Sequence, residues 1–210
     1  FGLIDPAHAQ AKKFAETLGC ETGAPKLSDD GELRLAFLVG IDDYQANADL
    51  KGPVNDVASI YRLLTDDGGK KFPKENICVL TNAEATYGGF KATFEKALVE
   101  RAKGAEQVVV YYAGHGSQLV DDNGDEPDGY DETLFLHDSR PARFTDMVLA
   151  QLRDDEFNEM LGRLHARTPN LVVIMDSCHS GTATRGRGVA RFVRPDPATL
   201  AAAARGEAIE

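Results

Sequence analysis

Three stretches of this chain are nearly continuous apolar runs of strand length: LRLAFLVGI at 33–41, QVVVYY at 107–112 and NLVVIM at 170–175. A strand with one wet face alternates polar and apolar residues. A run without alternation belongs to a strand buried on both faces. Such strands need helices above and below them, so the runs predict a mostly parallel sheet with helices on both faces, an α/β fold. NICVLT (76–81) and TLFLH (133–137) read as further strands. Between the strands lie helical spacings: Val54, Val57, Tyr61 and Leu64 in 54–65; Phe90, Phe94, Ala97, Leu98 and Arg101 in 86–102; Phe157, Met160, Leu161 and Leu164 in 154–165. There is no internal repeat. At 210 residues, 42% of them hydrophobic, the chain has material for one good-sized core and scarcely for two. The expected organisation is an extension and polar linker over 1–32 with a helix at 7–18, the α/β domain over 33–181, and an arginine-bearing tail over 182–210.

The net charge of −11 argues against nucleic acid as a partner and favours a cationic one. No run of about 18 apolar residues exists to span a membrane. Cys20, Cys78 and Cys178 are an odd, sparse set at unrelated spacings, read as neither a disulfide framework nor a zinc ribbon. That pattern suggests a reducing, cytoplasmic compartment. The chain begins at Phe1 and reads as truncated or processed. AHAQ at 7–10 has the small-x-small look of a signal cleavage site, but no apolar segment of adequate length precedes it.

In parallel sheets ligands bind beyond the carboxyl ends of the strands. Two polar clusters follow strand ends here: AGHGSQ after 107–112, and DSCHSG after 170–175. A cysteine attacks as its thiolate and needs a base or a positive charge nearby. His179 is adjacent to Cys178, but neighbours leaving a strand point to opposite sides. His115 sits between Gly114 and Gly116, which let the backbone turn sharply and leave the ring open to a substrate. A cysteine and a histidine distant in sequence but on neighbouring strand ends are the expected form of a Cys–His dyad. Backbone N–H groups near Gly116 and Cys178 are then placed to hold an oxyanion. Taken singly, the cysteine reads as a small buried apolar residue and Gly-His-Gly as a turn; their joint placement points to catalysis.

VVVYYAGHGSQ and VVIMDSCHSG resemble the histidine and cysteine motifs of metacaspases, and LVGIDDY…LKGPVNDV resembles their first strand and following loop. The resemblance runs from about Leu33 to Gly181. It implies a caspase–haemoglobinase fold, a catalytic domain corresponding to the large subunit, and peptide hydrolysis through Cys178 with His115 as base. It also implies cleavage after arginine or lysine. A pocket for a basic side chain needs focused negative charge, and Asp56 and Asp176 match the positions that line the metacaspase pocket. Where the family often has a serine two residues before the histidine, this chain has Ala113.

Residues 121–132, DDNGDEPDGYDE, carry seven acids in twelve residues. An EF-hand is rejected, because Glu126 stands where that loop needs glycine and Pro127 follows. The resemblance implies activating calcium on Asp131, Asp154 and Asp155. A further family aspartate falls on Arg185, so one ligand is missing. The dipole of a starting helix also accounts for Asp56, Asp154 and Asp155. Arg185, Arg187, Arg191 and Arg194 lie in the tail, where a peptidase specific for arginine is expected to cut itself. Caspase-like enzymes add a small subunit with further strands, but the tail shows no convincing strand. The competing reading is a catalytically silent caspase-like scaffold; a nucleotide-binding or signal-receiver domain lacks its phosphate loop.

Overall fold

Strand β1 (Arg34–Gly40) is buried along its whole length and organises the molecule. The computed structural model describes residues 6–15, 17–66, 71–140, 150–177 and 192–193. Helix α1 (Pro6–Ala15) precedes β1, and helix α2 (Pro53–Thr65) follows it. Then come strand β2 (Ile77–Thr81), helix α3 (Tyr87–Phe94, prolonged by a π turn over Glu95–Val99) and strand β3 (Gln107–Ala113). Strands β4 (His115–Val120), β5 (Tyr130–Phe135) and β6 (Gln151–Arg153) lead to helix α4 (Asp154–His165). Strand β7 (Leu171–Asp176) and the short β8 (Phe192–Val193) complete the described chain.

The strands form two sheets. The first has the order β2-β1-β3-β7, and all its pairings are parallel. Side chains alternate across it as the pleat requires. Leu35, Phe37, Val39, Val108, Val110 and Tyr112 pack with Phe90, Phe94, Phe157 and Leu164 on one face. Ala36, Leu38, Val109 and Tyr111 pack with Val54, Val57 and Tyr61 of α2 on the other. The helices on both faces are thus those the periodicities predict. At the carboxyl end of β1, Gly40 admits α2: a Cβ there would lie 2.7 Å from both the Pro53 carbonyl oxygen and Val57 Cγ2. The second sheet, β6-β5-β4-β8, is antiparallel except where β8 joins β4. The 133–137 run therefore belongs to this ribbon rather than to the main sheet.

Three expectations need correction. Cys20 and Cys78 form a disulfide. The backbone of the segment after α1 reaches β2, where the Val79 N–H donates to the Gly19 carbonyl at 3.1 Å, and this brings together two cysteines whose spacing carries no signal. With Cys20 and Cys78 paired, the cysteines no longer point to a reducing, cytoplasmic compartment. No helix among the described residues is long and apolar enough to cross a membrane. Strand β7 is not buried on both faces: among the described strands it is the sheet edge, and Val172, Val173, Ile174 and Met175 are 36–41% exposed. Finally, the tail does contain a strand, the two residues of β8.

Candidate active site

Register brings the starts of the two polar clusters to one rim. Gly40 pairs with Ala113, and Ala113 with Asp176, so the last residues of β1, β3 and β7 stand side by side. The Gly114 N–H donates to the Asp176 carbonyl at 3.3 Å, carrying the β3–β7 pairing one residue further. His115 lies two residues beyond Ala113. Cys178 lies two residues beyond Asp176 and outside the described residues, which break off after Ser177 and resume at Phe192. Adjacent strands run about 4.8 Å apart, so the two chain segments leave the sheet as neighbours.

His115 opens β4 and is only 3% exposed, so the ring is not open as the flanking glycines suggested. The loop after β1 wraps it. That loop is pinned by the Asn82 side-chain carbonyl, which accepts the N–H groups of Asp42 and Asp43 at 2.9 and 3.2 Å, and by the Leu50 N–H donating to the Asp42 carbonyl at 2.7 Å. Its Tyr44 ring lies 4.7 Å from the imidazole, and its hydroxyl accepts the His115 N–H at 2.8 Å. The imidazole Nε2 is 2.9 Å from the Ala48 carbonyl oxygen. A carbonyl only accepts, so Nε2 carries the proton, and Nδ1 is the basic nitrogen of the neutral ring. Below, the Tyr112 hydroxyl points its proton at the carbonyls of His115 and Phe135, at 2.8 and 2.9 Å. Full burial, with the neighbouring Tyr44 phenol, pushes the Tyr112 hydroxyl well above its ordinary titration range. Tyr44, Ala48 and Tyr112 were missed in the sequence: their parts are played by hydroxyls and a backbone carbonyl, which leave no spacing signature.

Gly116 follows within β4, paired with Leu134 on one side and Phe192 on the other. Asp56 is half-buried in the first turn of α2, the helix that starts over Gly40. Asp176 ends β7 and is exposed. Both residues therefore lie near the carboxyl-end rim, Asp56 through the start of α2 beside Gly40 and Asp176 at the end of β7. Arg185, Arg187, Arg191 and Arg194 lie outside the described residues. Phe192 and Val193, between the last two, pair in parallel with Gly116 and Ser117 beside the histidine.

The acidic loop folds back onto the start of α4. Asp121 is consumed in shaping it: one oxygen accepts the N–H groups of Asn123 and Gly124, the other that of Glu126, and these bonds lower its pKa. Asn123 Nδ2 ties the loop to Asp155 at 2.5 Å. The three expected metal ligands split. Asp131 and Asp155 converge with Asp125, whereas Asp154 converges with Glu126 and Glu132. Asp131 and Asp154 each keep one buried oxygen, Oδ1, with no hydrogen-bond partner. Desolvation, reinforced by neighbouring acids, raises the carboxyls of Glu126, Asp154 and Asp155. An all-oxygen donor set with buried, unsatisfied carboxylate oxygens fits a hard cation such as calcium.

The family described as "Metacaspase, peptidase C14 domain" matches residues 34–185. Metacaspase-1A of Aspergillus oryzae is 34% identical over 155 residues, 71% of this chain and 35% of that protein. Metacaspase-1 of Schizosaccharomyces pombe is 32% identical over the same length, covering 34% of that protein. The chain thus spans about a third of the length of the curated relatives it matches. The crystal structure of protein GSU0716 from Geobacter sulfurreducens aligns with 71% of this chain and 52% of its own, at a TM-score of 0.50 and 27% identity. The parallel sheet flanked by helices is accordingly a caspase-like fold. With its family match running from the first residue of β1 past the cysteine motif, the chain belongs to the metacaspases.

Proposed function

We propose that this chain is the catalytic part of a cysteine endopeptidase that cuts after arginine or lysine. The observation that carries the reading is the shared rim: β3 and β7 end in register, one running on to His115 and the other to Cys178. His115, with Nε2–H held on the Ala48 carbonyl, takes the thiol proton on Nδ1. The Ala48 carbonyl then steadies the imidazolium. The thiolate attacks the scissile carbonyl, and the Gly116 N–H helps hold the oxyanion. His115 returns its proton to the leaving amine, and water, deprotonated by the same ring, hydrolyses the acyl-enzyme. Asp56 and Asp176 supply the negative field for a basic side chain.

Calcium is part of this reading. Asp131, with Asp125 and Asp155, and Asp154 with its own neighbours, would hold it, and its chemistry there is charge neutralisation rather than a catalytic step. Self-cleavage at Arg185, Arg187, Arg191 or Arg194 is supported by β8, which lays the tail against β4. A C-terminal small subunit is the partner proposed for β7, whose apolar edge residues would be covered by a further strand.

The test is turnover of fluorogenic peptides ending in arginine or in aspartate, with and without chelator, against Cys178→Ala. Thiol-dependent cleavage of the arginyl substrate supports the reading. No thiol-dependent turnover in any condition favours a silent caspase-like scaffold.

A further inference from the structure

Asp131 is fully buried, and its two oxygens have different fates. Oδ2 accepts a bond from Arg153 Nη1, while Oδ1 has no hydrogen-bond partner. Arg153 also donates from Nη1 to the Val120 carbonyl at 3.0 Å and lies 3.3 Å from Asp122 through Nε. Among the described residues it is the only basic side chain in an ion pair with the acids of this loop. Asp131 is shared by two convergent groups, one with Asp121 and Asp122, the other with Asp125 and Asp155. The guanidinium pairs with Asp131 and Asp122. Asp131 Oδ1 is left buried and unsatisfied.

We propose that Arg153 is a tethered counter-ion that competes with a divalent cation for Asp131 and so sets the calcium threshold of the acidic loop. The inference rests on the calcium reading above. A guanidinium and a divalent ion on the same carboxylate repel each other, and in a half-buried site that repulsion is poorly screened. Arg153 is long, and its side chain is 26% exposed, so it has a route to swing outward as the ion arrives. In the cation-free state it spares Asp131 the cost of a buried, unpaired charge. The site therefore stays folded without metal and responds only when the cation is abundant enough to displace an internal rival.

The test is calcium titration by calorimetry, with thermal unfolding in parallel, on Cys178→Ala protein carrying either Arg153, Arg153→Gln or Arg153→Lys. The glutamine keeps a hydrogen-bonding head without charge; the lysine keeps the charge. Arg153→Gln is expected to bind calcium at least about tenfold tighter and to gain more in Tm from saturating calcium than the parent. Arg153→Lys is expected to stay within about twofold of the parent affinity. Equal or weaker binding by Arg153→Gln would make the arginine a clamp that positions Asp131 and would overturn the proposal. So would a glutamine variant that stays unfolded even in millimolar calcium, because the cation is meant to replace the guanidinium. If no protein binds calcium, the calcium reading itself fails, and the proposal with it.

Discussion

Gly114 is where the histidine's surroundings leave no room. A Cβ on this residue would lie 2.7 Å from both the Tyr112 and Tyr44 hydroxyls, and both phenols are committed, one to the carbonyls of His115 and Phe135, the other to the His115 N–H. Gly114→Ala must push one of them away. The expected result is a loss of about 1–3 kcal/mol in stability by urea unfolding, with a larger proportional loss of turnover because the ring is no longer held. Unchanged turnover would show that the phenols do not position the imidazole. At this scale the sequence was informative about reactive atoms and silent about their supports. His115 and Cys178 stand out because a base and a thiol each follow an apolar run. Tyr44 and Ala48 do not, because their contacts join residues some 70 positions apart through groups that every tyrosine and every backbone carries.

At the scale of elements, β1, β2, β3 and the helices were legible because buried strands and amphipathic helices impose their periods directly. β4 and β6 were not. HGSQLV is half polar, β6 has three residues, and both are strands only because β5 lies between them. The edge position of β7 was hidden too, since an apolar run does not reveal a missing neighbour. The entry to β1 makes a separate prediction. Arg34, 1% exposed, is gripped by both oxygens of Asp30, at 2.8 and 2.6 Å. The hydrogen bond from Arg34 lowers the Asp30 carboxyl to about 2. A depressed carboxyl stabilises the fold above its ordinary range near 3.8 and loses that contribution as pH falls toward 2. The stability gap between wild type and Asp30→Asn is therefore expected to be constant above about pH 5 and to close between about pH 4 and 2. A gap that did not narrow in acid would assign Asp30 a different role.

At the scale of the whole molecule, the Cys20–Cys78 bond closes a loop across 58 residues and fixes the segment bearing α1 to the edge strand β2. Loop closure of this size predicts a loss of up to about 4 kcal/mol on reduction or in the Cys20→Ser/Cys78→Ser variant. Identical urea midpoints with and without reductant would contradict that. The two sheets meet at a single rim, where β3 passes directly into β4 through Gly114 and β7 ends beside it. The proposed mechanism needs that meeting, since a thiol and an imidazole from different strands would share one proton there. The most direct measurement is the rate at which an arginine-terminated electrophilic peptide labels the protein, followed by intact mass, in wild type and His115→Ala. The account predicts a single adduct on Cys178, formed at least about 100-fold more slowly without the imidazole. Equal rates in the two proteins, or an adduct anywhere but Cys178, would contradict it.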